Sequence, residues 1–138
     1  FTQANGYGEV KFKAFEGNGM SKLAIIENGN LVMGNVNSSM VSNEQLAVSW
    51  LTASEEDRVL LNLGLIDLER SSIKKIVVDD FDSHQRLSVP QVVYSDGSLF
   101  LSLSKFTDKK HNLYASKIDI SVFDKQVLSD IEWVKDEI

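Results

Sequence analysis

Apolar and polar residues alternate with a period of two along most of this chain, and turn-forming residues break the alternation at short intervals. Successive side chains of an extended strand point to opposite faces, so this pattern builds strands with one oily face. Val10, Phe12 and Ala14 alternate with Glu9, Lys11 and Lys13, and Leu46, Val48 and Trp50 form another such set. Residues 23–26, 31–33, 92–94, 99–103 and 113–120 are further short apolar segments, and residues 73–78 are rich in β-branched side chains that suit a pleated surface. Gly17-Asn18-Gly19, Asn28-Gly29 and Asp96-Gly97 supply the positive φ angles that tight hairpins need.

Two stretches carry a helical signal. Ser54-Glu55-Glu56-Asp57 has the form of a helix N-cap followed by acids. After it, however, Val59, Leu61, Leu63 and Leu65 alternate, and Gly64 costs a helix about 1 kcal/mol relative to alanine, so a strand is favoured. At the C-terminus Phe123, Val127, Ile131, Val134 and Ile138 recur at helical spacing, with Ser121 and Asp124 as an acidic form of the capping box. The spacing predicts one amphipathic helix over residues 122–137. The expected fold is mainly β: a single domain over residues 1–138, an antiparallel meander curved into a barrel or a two-sheet sandwich and closed by that helix.

Composition narrows the function. The chain has 138 residues, 43% hydrophobic and 25% charged, enough for one core. Its net charge of −6 repels nucleic-acid backbone and disfavours anionic lipid. The absence of cysteine excludes disulfides, thiolate metal sites and a thiol nucleophile. No apolar run reaches the length of a helical membrane span, and the opening residues have no charged-then-apolar leader. Lack of cysteine suits both a reducing cytoplasm and many bacterial surfaces, so it selects no compartment.

Candidate chemistry is sparse. Asp79, Asp80, Asp82 and His84 are the densest set of hard ligands for a divalent cation. An EF-hand needs later ligands and a terminal Glu, whereas Gln85, Arg86 and Leu87 follow, so a solvated acidic loop is the plainer reading. His84 and His111 lie in polar stretches, and no Gly-x-Ser-x-Gly elbow is present to make a nucleophile of a serine. Residues 16–22 echo a phosphate loop, but the Lys follows the Ser and strands flank both sides. Asn37-Ser38-Ser39 is a glycosylation sequon of the kind that arises by chance. Lys11, Lys13 and Lys22 are expected on the first hairpin, and Tyr94, Tyr114 and Trp133 at partly exposed positions. All six are candidates for holding a ligand or partner; for the aromatic rings the alternative is a place in the core.

Hairpins followed by a closing helix resemble, in layout alone, the pleckstrin-homology-like domains. Basic residues of the first hairpin there clasp phosphoinositide headgroups, though no motif specific to that family is present. The sequence favours a non-catalytic module over an enzyme: a binding or assembly unit that recognises a protein, an extended ligand or its own copies through sheet edges and loops, residues 34–45 among them. The alternatives are a small hydrolase or metal enzyme using the 79–84 acids, and a β-barrel holding a small apolar molecule. No cofactor is implied.

Overall fold

The computed structural model describes residues 9–15, 21–28, 31–54, 56–126, 129–130 and 132–133; for residues 9–15, 21–28, 31, 34–35, 129–130 and 132–133 it describes the backbone alone. The strands are β1 (Glu9–Phe15), β2 (Ser21–Asn28), β3 (Leu31–Met40), β4 (Gln45–Ala53), β5 (Arg58–Asp67), β6 (Ser72–Asp82), β7 (Arg86–Leu87), β8 (Gln91–Ser95), β9 (Ser98–Thr107), β10 (Lys110–Asp119), β11 (Ser129–Asp130) and β12 (Glu132–Trp133). They form three antiparallel sheets rather than a closed barrel. The first sheet has the order β1-β2-β12 and the second β11-β6-β5-β4-β3. In the third, β9 is flanked by β10 on one side and by β8 and β7 on the other.

The central strands of the second sheet, β4 and β5, are buried on both faces, and their sequence shows why. In β4 every residue from Ala47 to Thr52 is buried. Near-continuous apolar strands of this kind belong between two covering layers. On one face Ala47, Leu51, Val59, Leu61 and Leu63 meet Val92, Leu99, Leu101 and Leu103 of the third sheet, together with Phe81 and Phe123. On the other face Val32, Val48, Trp50, Ile66 and Ile73 form a second core. Gly64 belongs to that second core: a Cβ there would stand 3.2 Å from both the Trp50 ring and the Ile73 Cδ1. The residue that weakens a helix is thus the one that leaves room for the indole. The strand reading of residues 58–67 holds, and Ser54-Glu55-Glu56-Asp57 belongs to the β4–β5 connection, with Asp57 at φ 57°.

Two turn signals fare differently. Asp96-Gly97 closes the β8–β9 hairpin at φ 46° and 81°. Gly29 of the Asn28-Gly29 signal lies outside the described residues; among those described, β2 pairs with β1 and β12 whereas β3 pairs with β4. The β9–β10 hairpin turns instead on Asp108 and Lys109, at φ 50° and 62°, a conformation costly for a lysine. Replacing Lys109 by glycine is expected to raise stability by about 0.5–1 kcal/mol, read as a higher urea midpoint at unchanged m.

Residues 34–45, expected as a polar loop, are mostly strand. β3 runs to Met40 across a register shift between Met33 and Asn37, and β4 begins at Gln45. The polar side chains serve the junction between sheets. Asn37 Oδ1 accepts the Val92 N–H at 3.0 Å, and Ser39 Oγ accepts the Tyr94 N–H at 3.1 Å. The sequon asparagine therefore joins β3 to the edge of β8.

The expected closing helix over residues 122–137 is not shown, and the layout likeness to pleckstrin-homology-like domains, which leaned on it, gains no support. A 3-10 turn spans Ile120–Lys125, capped by Asp119, whose Oδ1 accepts the Ser121 N–H at 2.9 Å. It plants Phe123 in the main core and stops at Gln126, whose backbone is extended. Beyond it, Ser129–Asp130 pairs with β6 and Glu132–Trp133 with β2, while residues 127, 128, 131 and 134–138 lie outside the described residues.

Candidate functional site

The second and third sheets pack as two meanders of unequal size. The second runs β3-β4-β5-β6, and the third runs β8-β9-β10 and stops. On the β3 side the two are joined by the Asn37 and Ser39 hydrogen bonds to β8. On the other side β6 and β10 face each other without pairing. β10 pairs with β9 along its whole length, Lys110 to Asp119, and among the described residues no strand takes its second edge. Among the described residues β6 has a partner on its outer edge only at Ser72 and Ile73, where β11 sits. A free edge is a row of N–H and C=O groups ready to pair with another chain.

The gap between β6 and β10 closes at one end and opens at the other. At the closed end the Tyr114 ring of β10 stands edge-on to Phe81 of β6, with centroids 5.3 Å apart at 87°. Lys105 Nζ lies 5.6 Å from the Phe81 centroid and 6.0 Å from that of Tyr114, within cation–π range. Burial holds the Tyr114 phenol above its ordinary pKa; its contact with Ser116 opposes the rise and the Asp79 carboxylate adds to it. At the open end lies a groove of about 530 Å³, walled by residues 75–78 of β6 and by Ser116 and Ile118 of β10, with Val122 and Gln126 at its end. Val77 is 57% exposed and Val122 39%, so the rim presents apolar side chains to water.

A second, smaller pocket of about 160 Å³ lies where Met33, Leu51 and Val59 meet the β6–β8 connection at Leu87, Ser88 and Val89.

The acidic stretch sits at the end of β6 and in the turn after it, and its carboxylates are turned to separate partners. Asp79 Oδ1 accepts the Asp80 N–H at 2.8 Å, Asp80 Oδ2 accepts from Arg58 Nε at 3.1 Å, and Asp82 Oδ1 accepts the His84 N–H at 2.8 Å. Among the described residues no three His, Cys, Asp or Glu side chains are arranged to hold a metal ion. The Arg58 hydrogen bond holds the Asp80 carboxyl below its ordinary pKa, and the same bond raises the Arg58 guanidinium. A depressed carboxylate contributes stability above its unfolded pKa and loses it as pH falls through the folded one. Carbonyl-detected NMR titration should place the Asp80 midpoint below that of an unpaired aspartate, and Arg58→Gln should return it to the ordinary value. The pair is solvent-exposed, so its effect on overall stability should be small.

The partner-binding candidates are divided between the first and third sheets. Lys11 and Lys13 lie in β1 and Lys22 in β2, where the register pairs them with Ile25, Leu23 and Ala14; their side chains lie outside the description. Trp133 is in β12, paired with Ala24, and its side chain lies outside the description as well. Tyr94 and Tyr114 both pack against the main core, and the Tyr94 hydroxyl accepts the Gly97 N–H at 3.2 Å. His111, exposed on β10, packs against Phe106 with ring centroids 4.7 Å apart and the planes tilted at 44°.

What sequence reasoning missed is the edge of β10. Its only signal was indirect: the Asp108-Lys109 turn contains neither Gly nor Asn, so the hairpin that makes β10 a terminal strand went unmarked. Among the described residues no helix is long and apolar enough to cross a membrane. No protein-family model, curated protein or solved structure matches the chain.

Proposed function

We propose that this chain is a non-catalytic binding and assembly module that takes an extended segment of another protein as a strand beside β10. The observation that supports this reading is the unequal pair of meanders: β3-β4-β5-β6 packs on β8-β9-β10, and among the described residues the third sheet has no counterpart of β6. A strand laid along β10 would pair its N–H and C=O groups with a ten-residue edge. Its alternate side chains would enter the groove against Ile76, Val78 and Val122. Main-chain hydrogen bonds would supply affinity, and the groove would select side chains.

The test is a fluorescein-labelled hexapeptide of alternating Val and Thr, followed by fluorescence anisotropy. It is expected to bind the protein, and the β10 amide protons are expected to gain protection from exchange. Ser116→Trp fills the groove from its β10 wall and should weaken binding by about tenfold or more with an unchanged circular dichroism spectrum. No anisotropy change at millimolar protein would end the reading. So would binding that leaves β10 exchange untouched.

A further inference from the structure

The side chains along β10 specify what the incoming strand must look like. Alternation puts Tyr114, Ser116 and Ile118 in one row and Leu113, Ala115, Lys117 and Asp119 in the other. Ser116 and Ile118 wall the groove, so the first row faces inward. In the second row Leu113 is 75% exposed and Ala115 and Lys117 are also exposed. The Asp119 carboxylate is already engaged with the Ser121 N–H. Lys117 is therefore the one cation between Leu113 and Asp119 on the outward row. Its ammonium lies 5.8 Å from the Phe100 centroid on the same face, over an apolar surface that includes Val93 at 57% exposure.

Resting on the strand-addition reading, we infer that the partner segment is an antiparallel strand with a carboxylate opposite Lys117, apolar residues on either side of it entering the groove, and an apolar residue opposite Leu113. Directly opposed residues on neighbouring antiparallel strands lie within contact distance, so opposite charges attract there and like charges repel. An apolar residue opposite Ile118 and another opposite Ser116 reach Ile76, Val78 and Val122. A segment with lysine at the acidic position would set two ammonium groups side by side next to the Phe100 ring. The net charge of −6 repels an acidic partner at long range, but that repulsion is screened beyond about a Debye length, whereas the Lys117 pair acts at contact.

The probes are three fluorescein-labelled peptides, Val-Glu-Val-Thr-Ala-Val and its Gln and Lys versions at the second position, acetylated and amidated. Read antiparallel to β10, the second residue falls opposite Lys117 when the first faces Ile118. At low salt the Glu peptide is expected to bind about fivefold tighter than the Lys peptide, with Gln between, and the gap should shrink in high salt. Lys117→Glu should reverse the ranking. Equal binding of all three peptides, or a ranking that Lys117→Glu leaves in place, overturns the charge assignment while strand addition stands. Binding by none of them overturns strand addition itself. A concentration-dependent dimer with β10 amides protected in the free protein would overturn the inference in another way, because the occupant of the edge would then be a second copy.

Discussion

Truncating Trp50 to alanine is expected to destabilise the protein by about 3–5 kcal/mol, enough to leave a domain of ordinary stability largely unfolded. The indole is fully buried and forms the second core with Val32, Val48, Ile66 and Ile73, on the face of the second sheet turned away from the third. Among the described residues of this core none matches the indole in volume, and Gly64, which has no side chain to fill the space left behind, sits beneath the ring. Trp50→Phe should cost far less. It keeps most of the apolar volume and removes an indole N–H that is buried without a hydrogen-bond partner, a burial that itself costs about 1–3 kcal/mol. Urea unfolding followed by circular dichroism ranks the three proteins. Equal losses for Phe and Ala would mean that ring shape rather than volume holds this core. Gly64→Val, pressing on the ring from below, is expected to destabilise by about 1–3 kcal/mol for the converse reason.

Replacing Asn37 by valine should cost about 1–3 kcal/mol although it removes no apolar contact. Val92 is 2% exposed, and its N–H points away from β9 to the Asn37 carbonyl of β3. A valine there leaves that donor buried and unpaired. Ser39→Ala does the same to the Tyr94 N–H, in a half-buried setting and with a smaller expected loss. Hydrogen exchange should show the change first at Val92 and Tyr94. If those two amides remain as protected as in the parent, the side chains do not hold the seam.

Once the β3 side is sewn up by two side chains, the opening on the β6 side becomes meaningful. Of the two junctions between the second and third sheets, one is closed by polar residues placed for that purpose. The other is closed at the Phe81–Tyr114 contact, with Lys105 beside both rings, and left open beside Ser116 and Ile118. Native proteins commonly guard an exposed edge by keeping it short or placing charges along it. β10 is ten residues long, and from Leu113 to Ala115 it carries no charge.

Much of this was legible in the sequence. The alternation of Val59, Leu61 and Leu63 placed β5, and Asp96-Gly97 placed the β8–β9 turn, because side-chain period and positive φ are local properties of a chain. Acids 79–84 were visible as a cluster, but where the Asp80 carboxylate points depends on Arg58, a residue far off in sequence that strand pairing brings alongside.

The amino-acid order by itself therefore determined that this chain is built of antiparallel strands with oily faces, and where most of them begin and end. Only the tertiary structure decided which strands share a sheet: it separated β2 from β3 across a strong hairpin signal, turned the polar residues of β3 into a seam, and put β10 at an edge. The physical reason is that sheet membership is settled by which faces bury each other, a long-range competition that no residue's own conformational preference encodes.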